Sequence, residues 1–138
     1  MVKILFEGVH HIGIAVKNLD EALEIFQGKI GLKLEKITVV EDQKVKSAML
    51  STEGETKIEL LEPTCHDSPV GRFLEKRGEG IHHIAFKVRG IEKLLKKLKD
   101  EGLKLVNETP RIGIEGTKIA FIHPKSVKNV LIELCEEE

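Results

Sequence analysis

Four side chains in this sequence could share one metal ion: His11, Glu59, His83 and Glu133. Two imidazoles and two carboxylates suit a divalent cation, with positions left in an octahedral sphere for water or substrate oxygens. An ion held this way acts as a Lewis acid, lowering the cost of negative charge on a substrate oxygen. The four ligands come in two pairs because the chain repeats itself. Val9-His10-His11-Ile12-Gly13-Ile14-Ala15-Val16 returns as Ile81-His82-His83-Ile84-Ala85-Phe86-Lys87-Val88, and Ile58-Glu59-Leu60 returns as Ile132-Glu133-Leu134. A carboxylate placed alike in two apolar strands calls for a partner, because burying it alone costs several kcal/mol, on the order of the charge's desolvation.

Strand alternation decides which histidines face that site. His10, Ile12, Ile14 and Val16 form one bulky face, suited to packing, whereas His11 shares the other with Val9 and the small Gly13 and Ala15. The same alternation sets His83 beside Ala85 and leaves His82 on the packing side. Ile58 and Leu60 turn Glu59 away from packing, as Val130, Ile132 and Leu134 turn Glu133. His66 and His123 read as loop residues, His123 with a role in substrate binding.

Around these strands the order repeats. Asn18 caps a helix with Glu21 three residues on, and Leu19, Ala22, Leu23 and Phe26 supply its apolar stripe up to Gly28–Gly31. Strands are predicted at 32–40, 45–51 and 57–61, separated by turns at 41–43 and 52–55. A connector from 64 to 80 carries a short helix near 70–76. Ile91, Leu94, Leu95 and Leu98 then repeat the helical stripe, and Gly31-Leu32-Lys33-Leu34 returns as Gly102-Leu103-Lys104-Leu105. The expected fold is α+β: one domain spanning 1–138, built of two tandem βαβββ modules at about 9–63 and 81–136, their mixed sheet curved around a metal-containing cleft.

Composition narrows the function classes. With 22 basic and 23 acidic residues, a formal net charge of −1 and few aromatics, the chain has no electrostatic footprint for nucleic acid or an anionic membrane. No apolar run reaches the ~20 residues that span a bilayer, and Met1–Phe6 is too short for the apolar core of a signal peptide. A cytoplasmic location is expected, with Cys65 and Cys135 as thiols rather than a disulfide. The abundance of Lys and Glu, with few Asn, Gln, Met and Cys, is the balance of proteins that work hot.

The paired modules, each with a His on its first strand and a Glu on its last, resemble the vicinal oxygen chelate superfamily over nearly the whole chain. Within it the sequence is most similar to the methylmalonyl-CoA epimerase family, through Val9–Val16, through Asp67-Ser68-Pro69-Val70-Gly71-Arg72-Phe73-Leu74 leading to Gly80–Ile84, and through His123-Pro124-Lys125 followed by Val130–Leu134. The resemblance implies interconversion of the R and S forms of a CoA thioester substrate by moving the proton between carboxylate and thioester, through an enolate stabilised by a divalent metal. It implies ligands at His11, Glu59, His83 and Glu133, Glu133 as a base on one face, Co2+ as the first choice of metal with Ni2+, Mn2+, Zn2+ or Mg2+ as alternatives, and a homodimer. Lys125 could meet the CoA phosphates.

The chain also departs from its relatives. Ser47 stands where bacterial relatives place a second Glu, so the second base is unassigned among Glu41, Lys46, a water relayed through Ser47, and Glu59. Asn129 stands where relatives have Gly. Two rival functions stand beside this one: a glyoxalase I-like isomerase of a hemithioacetal, which uses the same ligands, and a module that only binds a small molecule in the cleft, against which the complete set of four ligands argues.

Overall fold

The structure, a computed structural model, describes residues 3–113 and 116–137. Met1 and Val2 of the N-terminal stretch lie outside the described residues. Among the described residues, eight strands and three α-helices follow the chain: β1 (Leu5–Ala15), α1 (Leu19–Leu23), β2 (Lys33–Val40), β3 (Val45–Ser51), β4 (Lys57–Pro63), α2 (Pro69–Arg77), β5 (Gly80–Arg89), α3 (Ile91–Asp100), β6 (Arg111–Ile112), β7 (Lys118–Ile122) and β8 (Leu131–Glu136). The α+β class and the repeated strand–helix–strands order are those expected from the sequence. The chain forms two compact units, His11–His82 and the combination of Met1–His10 with His83–Glu138. Both boundaries fall inside strands, so each unit holds part of β1 and part of β5.

In the unit of residues 11–82, β2 pairs antiparallel with β3 and β3 with β4, while β1 runs parallel to β4 because a helix carries the chain between them. Val16, Leu19, Ala22, Ala48, Leu50 and Leu60 make the core beneath α1. The opposite face is covered at one end by α2, whose Val70, Phe73 and Leu74 pack on Ala15, Val45 and Leu61. The rest of this face carries His11, Gly13, Ser47, Met49, Lys57 and Glu59, with Thr38 and Lys36 of β2 opposite Ser47 and Met49.

Asn18 caps α1 as expected, its Oδ1 accepting from the Glu21 N–H at 2.9 Å. The single amphipathic helix does not persist: α1 passes into a π-helical segment, Glu24–Ile30, which ends at Gly31 with φ 97°. The Gly31 N–H reaches back five residues to the Phe26 carbonyl, and only glycine enters this left-handed conformation without steric cost.

The second unit pairs β5 parallel with β8, and β8–β7 and β7–β6 antiparallel, over a core of Val88, Ile91, Leu94, Leu95, Ala120, Ile122 and Leu134. Part of β1 belongs here, beginning at Leu5 rather than Val9. Phe6 meets Phe86 edge-on at 5.9 Å, and Glu7 pairs with Arg89 at 2.9 Å. One internal cap is repeated: Glu62 accepts from the Leu19 N–H at 3.1 Å, and Glu136 from the Ile91 N–H at 2.8 Å.

The repeat is weakest after α3. Gly102-Leu103-Lys104-Leu105 has the letters of the segment leading into β2 but forms only an isolated bridge, Leu105 to Ile122. The Asn107 Oδ1 takes the Phe121 N–H at 3.0 Å in place of a backbone carbonyl, and Pro110 brings no N–H to a ladder, so only Arg111 and Ile112 resume pairing.

In the connector, Ser68 is fully buried and caps α2. Its hydroxyl donates to the Cys65 carbonyl at 2.7 Å and accepts from the Gly71 N–H at 3.1 Å. A Cβ at Gly71 would stand 2.5 Å from the His66 carbonyl oxygen and 2.8 Å from that of Cys65, both rigid backbone atoms. Gly71→Ala is therefore expected to cost about 3 kcal/mol and lower the melting temperature by about 10 °C. Calorimetry checks this; a drop under about 2 °C would mean that the loop yields instead.

Both cysteines are free, Cys65 half-buried and Cys135 buried. Burial, and then the Glu133 charge, push the Cys135 thiol up to about 12, so it remains a protonated donor to the Phe86 carbonyl. Among the described residues no helix is long and apolar enough to cross a membrane.

Candidate functional site

Each unit builds the same pair of side chains by the same rule. In parallel β1 and β4, Gly13 is the register partner of Glu59, and His11 lies two residues before Gly13 on the same face. In parallel β5 and β8, Ala85 is the register partner of Glu133, and His83 lies two residues before Ala85. A glycine or alanine beside the carboxylate leaves lateral room for it to lean toward its histidine. His11 Nε2 stands 3.4 Å from Glu59 Oε1, and His83 Nε2 stands 3.3 Å from Glu133 Oε1.

Burial gives these pairs their chemical weight. His11, His83 and Glu133 are 6%, 5% and 8% exposed, far from the usual surface placement of such groups. Phe121, the register partner of Glu133, packs edge-on against the His83 ring at 6.4 Å. Among the described residues, His11, His83 and Glu133 form a buried group that could hold a metal ion, each giving one ligand atom. The donor set fits that role. Imidazole nitrogen with carboxylate oxygen suits first-row divalent ions, and a cation offsets the cost of a buried carboxylate. Glu59 is not part of that three-residue group but stands against His11 as a further oxygen donor.

The remaining expected residues separate clearly. Ser47 is buried, and β3 sets it on the face of Glu59, since Met49, two residues on, is the register partner of Glu59. Lys46 points the other way, on the side where Ala48 and Leu50 pack beneath α1, which removes it as a base here. Glu41 lies in the turn beyond Val45, itself four residues along β3 from the partner of Glu59; a separation of ~13 Å or more along the strand removes it too.

His82 meets Phe73 of α2 edge-on at 5.0 Å, and His10 lies 3.9 Å from Glu137. His123 opens the 3-10 turn Pro124–Ser126, its Nδ1 accepting from the Lys125 N–H at 3.1 Å, and the Lys125 side chain is exposed. Asn129 has φ 69°, a left-handed conformation that asparagine tolerates better than most residues, so it can stand where relatives carry glycine. Two neighbours of the paired ligands escaped the sequence reading. Phe121 is one, and Lys57, the register partner of His11, is the other. Period-two alternation from Glu59 is the signal that finds Lys57.

Comparison with known proteins places the chain among similar sequences and folds. Residues 10–121 match the Glyoxalase/Bleomycin resistance protein/Dioxygenase superfamily. The chain is 44% identical to the Bacillus subtilis (strain 168) protein YqjC over 91% of this chain and 89% of that one. It is 35% identical to the mitochondrial methylmalonyl-CoA epimerase of Dictyostelium discoideum, over 98% of this chain and 81% of the relative. A solved methylmalonyl-CoA epimerase in complex with methylmalonyl-CoA and NH4+ superposes with a TM-score of 0.88 at 38% identity, covering 96% of each chain.

Proposed function

We propose a reaction from the premise that this chain belongs to the glyoxalase/bleomycin resistance/dioxygenase superfamily and, within it, to the methylmalonyl-CoA epimerases: it interconverts (R)- and (S)-methylmalonyl-CoA with the aid of a divalent metal. The observation that carries this reading is the duplicated register, Gly13 with Glu59 and Ala85 with Glu133, each with its histidine two residues earlier. Proteins that only bind a ligand on such a fold have no need of a complete donor set in both modules.

In this proposal residues 1–138 act as one domain whose modules share one cleft, and His11, Glu59, His83 and Glu133 hold the ion. When bound, the ion supplies positive charge that lowers the cost of negative charge on the thioester oxygen. Everything else falls to the chain itself. A carboxylate oxygen of Glu133 takes the α-proton from one face of the substrate carbon, and burial keeps water from competing for it. Return of a proton to the opposite face inverts the centre. With Lys46 and Glu41 removed, the second proton comes from Glu59 or from a water relayed by Ser47. Lys125 reaches the CoA phosphates and His123 shapes the turn that carries it. A homodimer in the cytoplasm completes the proposal, and Co2+ is its first choice of metal.

Wash-in of deuterium at the α-carbon of methylmalonyl-CoA, followed by mass spectrometry on the cobalt-loaded protein, tests the reading. Exchange with both epimers is the expected result. Absence of exchange, together with turnover of a methylglyoxal–glutathione hemithioacetal, would replace it with the isomerase reading. Absence of both, with retained thioester binding, would leave a binding module.

A further inference from the structure

Beside the paired ligands the two modules differ in charge at one pair of positions, while Gly13 with Ala85 and Met49 with Phe121 exchange one uncharged residue for another. Lys57 is the register partner of His11, whereas Leu131 is the register partner of His83. The next three residues, Ile-Glu-Leu, are the same in both strands. Alternation sets Lys57 on the face of Glu59, and parallel pairing brings its backbone to ~4.8 Å from that of His11.

The lysine is held. Its Nζ lies 2.8 Å from Glu35 Oε1, and Glu35 sits where β2 slips register between Leu34 and Lys36. The hydrogen bond from Lys57, with its charge and a second hydrogen bond from Ser51, holds the Glu35 carboxyl below its ordinary range. The side chains of the pair are 35% and 36% exposed, and ion pairs this open add little to stability. Stability alone therefore gives no reason for the ammonium at Lys57, which stands on the face of His11, Gly13, Ser47, Met49 and Glu59; the other lysine of that face, Lys36, lies on β2 opposite Met49, whereas Lys57 is on the strand next to His11.

We propose that Lys57 is a substrate-binding residue whose ammonium receives the free carboxylate of a malonyl-type thioester, with Glu35 holding the lysine in place. This rests on the epimerase reading and adds the direction in which substrate lies. The reacting carbon has two unlike arms, one anionic and one a neutral thioester. A repeated site that offers lysine beside one imidazole and leucine beside the other matches that asymmetry. An ammonium also suits the motion: it is a point charge with no planar fork, so it holds a carboxylate that swings as the α-carbon flattens and inverts.

The test compares two ligands on the metal-loaded protein: methylmalonyl-CoA, and propionyl-CoA, which lacks the carboxylate. Lys57→Met is expected to raise KM for methylmalonyl-CoA by about 30-fold, the value of a hydrogen bond to a charged group, while the calorimetric affinity for propionyl-CoA stays within about twofold. Lys57→Arg should recover most of the loss, and Glu35→Gln should show a smaller rise in KM. With its side chain one-third exposed, Lys57 can be replaced without unfolding the chain, which circular dichroism checks. A KM unchanged in Lys57→Met, or an equal loss of both thioesters, overturns the proposal. A wild type that exchanges no α-deuterium overturns the epimerase reading instead, and a wild type that binds both thioesters equally removes the carboxylate contact by itself.

Discussion

Glu133→Gln is expected to lower the rate of epimerisation by about 10²–10⁴-fold, the range measured when a positioned general base is lost. Gln keeps the shape and one oxygen at 3.3 Å from His83 but has no basic oxygen with which to take a proton. Inversion needs proton transfer on both faces of the carbon, so both directions of epimerisation should fall together. Deuterium wash-in should separate the faces: it is expected to collapse for the epimer whose proton points at Glu133 and to persist for the other. Equal loss from both epimers would mean that Glu133 serves the site only as a ligand. Glu59→Gln provides the comparison. If Glu59 is the second base, its replacement stops wash-in of the opposite epimer; if the proton travels through Ser47, wash-in persists there and Ser47→Ala reduces it. The chain thus carries its own means of finding the proton donor that its departure from the family left open.

What could be read from the chain, and what could not, follows from the range of the forces involved. Alternation is a property of the strand itself, so the separation of His11 from His10 and of Glu59 from Ile58 was legible before any fold was known. The same rule, applied to Val45 through Leu50, would have removed Lys46. The register that brings Gly13 beside Glu59 joins residues far apart in sequence, and only the letter-for-letter repeat hinted at it. The π-helical segment after Leu23 was hidden because an amphipathic stripe looks alike for bonds that span four residues or five. Leu103 to Leu105 shows the opposite error. The same letters as Leu32 to Leu34 form no extended ladder here: backbone pairing is confined to Lys104 with His123 and Val106 with Phe121, and Asn107 then supplies a side-chain oxygen where the ladder would continue. Nor did the sequence show that β1 and β5 are each divided between two compact units, since that depends on partners such as Phe6 with Phe86, far apart along the chain.

Removal of divalent metal by chelation is expected to abolish exchange and to lower thermal stability, and Co2+ should restore both. The stability arm is the more informative because it needs no substrate. Glu133 is 8% exposed and its partner His83 5%, so the native chain holds a carboxylate where water solvates it poorly. A cation that binds the folded chain and not the unfolded one stabilises it by about 4 kcal/mol at a free concentration a thousand times its Kd. For a domain of 138 residues that is a rise in melting temperature on the order of 10 °C. His83→Ala should forfeit most of that rise and His11→Ala likewise, because each removes a nitrogen donor from the buried group. Titration with Co2+, Ni2+, Mn2+, Zn2+ and Mg2+ in turn ranks the ions by the shift they give, and the visible spectrum of bound Co2+ reports the coordination number directly. A chelated, metal-free protein that keeps its melting temperature and its full exchange rate would sink the metal proposal while leaving Glu133 as a base. The two predictions therefore fail independently, which is the reason for pairing them: one asks what Glu133 does to a proton, the other what the histidines do for a cation.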